Sequence, residues 1–301
     1  MIKFSILITT KNRLEDLKLT LKNLSDLINR DDVECFIYDD GSTDGTSHFV
    51  VNNYPNIQLT TNSVSKGYMY CRNRMLDVTN ALYSISLDDD AHIITQNPLD
   101  IIEAYFNKNP QCGALAFRLF WDEKSPKKTE SNDMPQRVKS FVGCGHVWNM
   151  QAWESISNYP EWFIFYGEEE FAGYQLFKKN WEVHYVPDVL VHHRVDIKNR
   201  KNHKDYQTRL RRALRSGWYL YFLFYPWQII PRRFFYTLWI QLKTKVFKGD
   251  FKAFIAIIQA LGDIIINSPR LIKNANRLSK KEFLEYSKLQ ETKLYWVPKE
   301  F

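Results

Sequence analysis

Between residues 3 and 90 the chain alternates two kinds of apolar spacing, and that alternation leaves few architectures open. "KFSILITT" (3–10) is a run rich in β-branched residues, as a strand buried on both faces should be. In "NRLEDLKLTLKNLSDLI" (12–28), Leu14, Leu17, Leu21, Leu24 and Ile28 recur at helical spacing, with Asn12 as the expected N-cap. "VECFIYDD" (33–40) reads as a second strand, ended by Gly41. "GTSHFVVNNY" starts a helix, "NIQLTTN" is strand-like, "GYMYCRNRMLDVTNAL" (67–82) is a third helix and "YSISLD" a further strand. The order βαβαβαβ predicts an α/β fold, a mostly parallel sheet flanked by helices on both faces.

In such a sheet, ligands bind beyond the carboxyl ends of the strands. Those ends are Thr9-Thr10, Asp39-Asp40 and Asp88-Asp89-Asp90. One aspartate at a strand end makes a turn or caps a helix. Five on one rim would repel an anionic ligand unless a divalent cation intervened, and oxygen-rich sites suit Mg2+ or Mn2+. "WDEKSPKKTESNDMPQRVKS" (121–140) is polar, holds two prolines and reads as a mobile loop over the site. In "SFVGCGHVWNM" (140–150), Gly143 and Gly145 suggest close backbone approach, but Trp148 stands where a dinucleotide fingerprint needs its third glycine. "WFIFYGEEEFAGYQLFKKN" (162–180) places Glu168, Glu169 and Glu170 at a helix start. "WEVHYVPDVLVHHRV" (181–195) reads as a strand ending in His192-His193. "DDGSTDGT" matches early calcium-loop positions, yet Val51 occupies the position of the closing glutamate, which rejects an EF-hand.

Taken in order, these segments resemble the family 2 glycosyltransferases, over about residues 2–197. "SILITTKNR" is similar to that family's opening strand, with Thr9 in place of its proline and Lys11 in place of its tyrosine. "YDDGSTDGT" resembles its second motif and "SKGYMYCRNRML" its Gly-then-Arg-Asn segment. "LDDDA" fits its DxD element as Asp88-x-Asp90. "GEEEF" sits where the family has a catalytic Glu-Asp pair, with Glu169 in the aspartate's place, and "VPDVLVHH" resembles the strand whose last histidine approaches the metal, with His193 the better fit.

The resemblance implies a GT-A (Rossmann-like) fold and inverting transfer from a nucleotide-diphosphate sugar. It implies a nucleotide-sugar site of Thr9, Thr10, Asn12, Arg13, Asp39, Asp40, Lys66, Gly67, Arg72, Asp88 and Asp89. In it Asp40 reads the base edge, Asp88 accepts from the ribose hydroxyls, and Arg72 or Lys66 offsets phosphate charge. Mn2+ or Mg2+ falls to Asp90, with Asp88 and His193. Inversion at the anomeric carbon needs one general base and no enzyme nucleophile; Glu169 comes first for that role and Glu168 second.

The net charge of +7 hides a split: residues 198–301 carry 22 Lys+Arg against 7 Asp+Glu, and the remainder 19 against 27. In the tail, 211–248 interleaves aromatics with Arg and Lys, and "FIAIIQALGDIIIN" is broken by Asp263. The tail's longest uncharged run is too short to span a bilayer. We read residues 1–197 as the catalytic domain and 198–301 as a helical region lying on an anionic membrane surface. The other reading of the tail is a helical layer packed on the catalytic part. Nucleic acid is not an expected partner, because the aromatics cluster with aliphatics. The opening "MIKFSILITT" reads as a strand and not a signal peptide. Four scattered cysteines with no CxxC spacing are expected as free thiols in a reducing compartment. Together with these features, the resemblance implies a peripheral enzyme on the cytoplasmic membrane face that serves a saccharide or lipid-linked acceptor in surface-polysaccharide assembly. Two alternatives are a sugar-phosphate nucleotidylyltransferase, which wants a glycine-rich loop that "TTKNRLED" lacks, and a non-catalytic nucleotide-sugar-binding protein docked on a membrane.

Overall fold

The computed structural model describes residues 1–195 and 205–298. The elements run β1 (Phe4–Thr10), α1 (Leu14–Asn23), α2 (Ser25–Ile28), β2 (Val33–Asp39), α3 (Thr46–Asn53), β3 (Gln58–Thr61), α4 (Tyr68–Val78), β4 (Tyr83–Asp88), β5 (Ala91–Ile93) and α5 (Pro98–Lys108). There follow β6 (Cys112–Trp121), β7 (Gln136–Val138), β8 (Gly145–Asn149), α6 (Met150–Glu154), α7 (Glu168–Lys178) and β9 (Glu182–His193). The C-terminal part holds α8 (Tyr206–Phe224), α9 (Ile230–Thr244), α10 (Phe251–Ile266), α11 (Ser268–Lys273) and α12 (Lys280–Lys288). The expected boundary between residues 197 and 198 lies outside the described residues.

One sheet runs in the order β3-β2-β1-β4-β8-β6-β9-β5, with β7 beside β9. The first four strands in that order are parallel, as the alternation predicts; β8 then runs antiparallel to both β4 and β6. The period of two divides the strand residues between two cores. On one face Phe4, Ile6 and Ile8 of β1, and Leu115, Phe117 and Leu119 of β6, pack with Leu17 and Leu21 of α1 and Ile102 and Phe106 of α5. On the other face Leu7, Phe36, Tyr38, Ala114 and Ala116 meet Met69, Met75 and Leu176.

Two local expectations need correction. Asn12 is not the N-cap of α1. It sits at φ +51° with its Oδ1 accepting from Thr43 N, and the first amide of the helix, Leu14 N, donates to Asp44 Oδ2 on the neighbouring loop. A short side chain that tolerates the left-handed region is used to turn the chain, and the cap arrives from elsewhere. The stretch 121–140 is not all loop, because Gln136–Val138 adds an antiparallel edge strand to β9.

The tail does two things. Tyr219, Leu220, Leu223 and Phe224 of α8, with Leu271, Leu278, Phe283 and Tyr286, belong to the same core as the sheet. Tyr174 stacks on Phe224 at 4.9 Å and lies 4.5 Å from Tyr286. Asp263, which breaks the apolar run in the sequence, is buried and takes both Arg211 (2.8 and 2.6 Å) and Arg215 (3.7 Å). Part of the tail's basic charge is thus neutralised internally. By contrast Trp227, Phe235, Tyr236, Trp239, Phe247 and Phe251, on and around α9 and at the start of α10, are all more than half exposed. No helix of the described residues is long and apolar enough to cross a membrane.

Candidate active site

Parallel register brings the strand ends together: Thr10 pairs with Asp39, and Thr9 with Asp88. The second-motif aspartates are satisfied by the chain itself. Asp39 accepts from Ser42 N and the Ser47 hydroxyl. Asp40 accepts from Asn62, the Ser65 hydroxyl and the amides of Lys66 and Gly67. Burial pushes the Asp40 carboxyl up, but these four donors bring it below the usual range. With four donors on two oxygens, Asp40 organises the 62–67 loop, and a base-reading oxygen is not on offer in this arrangement. The Lys66 ammonium donates to Tyr70 OH, away from the rim.

The three aspartates of "LDDDA" diverge. Asp89 turns inward, takes the Thr10 hydroxyl at 2.9 Å and lies 3.4 Å from Arg13; burial raises it to about 7. Asp90 is fully enclosed, with Oδ2 on Arg13 (2.7 Å) and Oδ1 3.0 Å from His193 Nε2. Burial would raise its carboxyl, but His193 and Arg13 hold it down to about 2. Asp88 alone is partly open. Its Oδ1 accepts from Arg72 (3.1 Å) and Tyr68 OH (3.4 Å), while Oδ2 stands 4.0 Å from His193 Nε2. The Thr9 hydroxyl is buried at the same rim without a hydrogen-bond partner.

The glutamates approach from α7. Gly167, at φ +91°, turns the chain into the helix, so successive side chains fan apart. Glu168 is buried with Oε2 unpartnered; Glu169 is half-buried; Glu170 faces outward. Glu169 Oε1 accepts from Gly143 N at 3.1 Å. A Cβ on Gly143 would stand 3.1 Å from that oxygen and 3.2 Å from Tyr68 OH, so any larger residue would push on both side chains. Burial, with the charges of Glu170 and Asp88, raises Glu168 to about 7. Burial and Glu168 push Glu169 well above the usual carboxylate range. One hydrogen-bond chain therefore links Asp88 to Tyr68, and Gly143 joins that corner to Glu169.

A divalent cation finds donors here. Ligand atoms from Asp88, Cys144 and His193 lie within 4.8 Å of one another. Beside them, His193 Nδ1 is buried without a hydrogen-bond partner, while Asp90 Oδ1 lies 3.0 Å from His193 Nε2. The residues fit a cation, and Cys144 joins Asp88 and His193 in the donor cluster; Asp90, expected to lead it, has Oδ2 on Arg13 and Oδ1 beside His193. His192, on the opposite face of β9, bonds the Asp122 carbonyl instead. Sequence reasoning missed Cys144 and Tyr68. Gly143 and Gly145 flank the thiol and were its only signal; Tyr68 had none.

Known proteins share this fold. A TarS structure from S. aureus in complex with UDP-GlcNAc is 17% identical, with TM-score 0.57, covering 91% of this chain and 84% of that one. A mannosyltransferase from Pyrobaculum calidifontis in complex with GDP-Man and Mn2+ is 14% identical, with TM-score 0.55, covering 95% and 78%. At these identities the likeness shows the fold, which is GT-A. No curated protein matches the chain. The family model described as glycosyl transferase family 2 matches residues 5–170, from the first strand to the last of the three glutamates. The chain belongs to glycosyl transferase family 2.

Proposed function

We propose that this glycosyltransferase is inverting, and that it moves a sugar from a nucleotide-diphosphate sugar to a hydroxyl of a saccharide or lipid-linked saccharide. The observation that carries the reading is the meeting of Asp88, Tyr68 and Glu169 at Gly143. It sets a basic oxygen beside the one open carboxylate of the strand rim, so donor and acceptor can meet at that corner. The nucleotide sugars in the S. aureus and Pyrobaculum structures support the donor class, and the Mn2+ in the latter supports a divalent cation.

In this reading Asp88 accepts from the ribose hydroxyls on its open side. Arg72, buried beneath it, holds the carboxylate in place and adds positive charge below the diphosphate. The loops that Asp39 and Asp40 pin form the wall of the base pocket. Asp88, Cys144 and His193 would hold Mn2+ or Mg2+, which when bound neutralises the leaving diphosphate. Glu169 takes the proton from the acceptor hydroxyl as its oxygen displaces the diphosphate in line, inverting the anomeric carbon without a covalent enzyme intermediate. Glu169 is favoured over Glu168 because it is accessible to an acceptor, whereas Glu168 is 5% exposed. A general base contributes about 10²–10⁴-fold in rate.

The exposed aromatic face around α9, with Arg232, Arg233, Lys243, Lys248 and Lys252 exposed among it, supports a peripheral site of action on an anionic membrane at the cytoplasmic face. Surface-polysaccharide assembly supplies acceptors at such a place. Incubating the full chain with a panel of nucleotide sugars, with and without Mn2+, and assaying product anomeric configuration tests the proposal. Transfer with inversion is expected. Retained configuration, or hydrolysis alone with every acceptor class, would overturn it.

A further inference from the structure

Cys144 differs from the other three cysteines. All four are free and buried, but among the described residues only Cys144 joins a cluster of potential metal donors. Its neighbours fix it there. Gly143 is clamped against Glu169 and Tyr68. A Cβ on Gly145 would fall 2.8 Å from Leu119 and 3.2 Å from Val191, so the backbone on both sides is pressed into the fold. The Asp88, Cys144 and His193 donor atoms lie within 4.8 Å of one another. Ligands at about 2.0–2.3 Å from a tetrahedral zinc ion stand about 3.3–3.8 Å apart, so the set closes when its side chains move by about an ångström. An independent sign is His193 Nδ1, which is buried and lacks a hydrogen-bond partner.

We infer that the cation site of this chain is a mixed thiolate–imidazole–carboxylate site, formed by Cys144, His193 and Asp88, and that it binds zinc-class cations more tightly than magnesium. The inference rests on the reading that a cation is held at this rim, and it adds a ligand and a preference. Magnesium demands oxygen ligands and keeps its waters, whereas sulfur and imidazole favour Zn2+ and Co2+. Binding exchanges the thiol proton for the metal: the S–H bond breaks, a sulfur–metal bond forms, and one proton goes to solvent. Zinc would therefore compete with manganese or magnesium for the same position.

The test uses the full chain, stripped with EDTA and free of donor sugar, titrated with Co2+, Zn2+ and Mg2+. Co2+ should produce the near-ultraviolet sulfur-to-cobalt charge-transfer band, and Zn2+ should displace it. Calorimetry should show Zn2+ affinity falling at least about tenfold in Cys144→Ser, a larger fall than that of Mg2+. A wild-type cobalt spectrum without that band overturns the inference, and this reading needs no variant to fold. So does equal Zn2+ affinity in wild type and a Cys144→Ser protein whose thermal melt is unaltered. Sugar transfer without the band would leave the proposed function standing and remove the thiolate. The band without transfer from any nucleotide sugar would keep the site and remove the function.

Discussion

Single side chains decide the chemistry of the rim. Glu169→Gln keeps the shape and the hydrogen bond from Gly143 but removes the base. Nucleotide-sugar Kd should stay near normal, while single-turnover transfer slows by at least about a hundredfold. Equal rates for the variant and the wild type would place the base elsewhere. The base must be ionised, and burial with the charge of Glu168 pushes Glu169 well above the usual carboxylate range. Activity should therefore be lost as pH falls, at values where an ordinary glutamate would still be charged. Because the charge on Glu168 raises Glu169, Glu168→Gln should move the acid limb of kcat/KM to lower pH. A limb that stays in place, or moves upward, would contradict the coupling. The resemblance of the motifs to those of a known family is what singled out Asp88, His193 and the glutamates. It could not show that Asp40 is consumed by four donors, because those donors lie on a loop more than twenty residues away.

At the scale of elements, the parallel β3-β2-β1-β4 unit was readable because each strand and helix carries its own spacing. The antiparallel insertion of β8 between β4 and β6 was not, since it depends on pairings between segments about 30 to 65 residues apart. The short edge strand β7 escaped for a similar reason: three residues hold no period. Asp263 misled in a different way. In the sequence it interrupts an apolar run, yet in the fold it ties α8 to α10 through Arg211 and Arg215. Asp263→Ala should leave Arg215 buried without its carboxylate. Breaking a buried pair from one side costs about 3–5 kcal/mol; with Arg211 partly exposed, the lower end of about 3 kcal/mol is expected. Chemical or thermal denaturation measures this, and an unchanged midpoint would show that the pair holds nothing.

For the whole molecule, the tail is both core and surface. The full chain should sediment with anionic vesicles, less so in high salt, since attraction between exposed charges and lipid is screened. Replacing Phe235, Trp239 and Phe251 with serine should weaken that binding and leave soluble-acceptor transfer intact. Undiminished sedimentation of the triple variant would move the membrane contact off this face. Cutting the chain near residue 197 is the poorer experiment, because it strips Tyr219, Leu223 and Phe224 from the core under the sheet. The same division of labour makes α9 open to exchange. Its inner row, Phe234, Leu238 and Leu242, packs on Trp218 and Ile257 at four-residue spacing. A graft that keeps this row and rewrites the outer one would readdress the enzyme to another surface while leaving the rim of aspartates untouched.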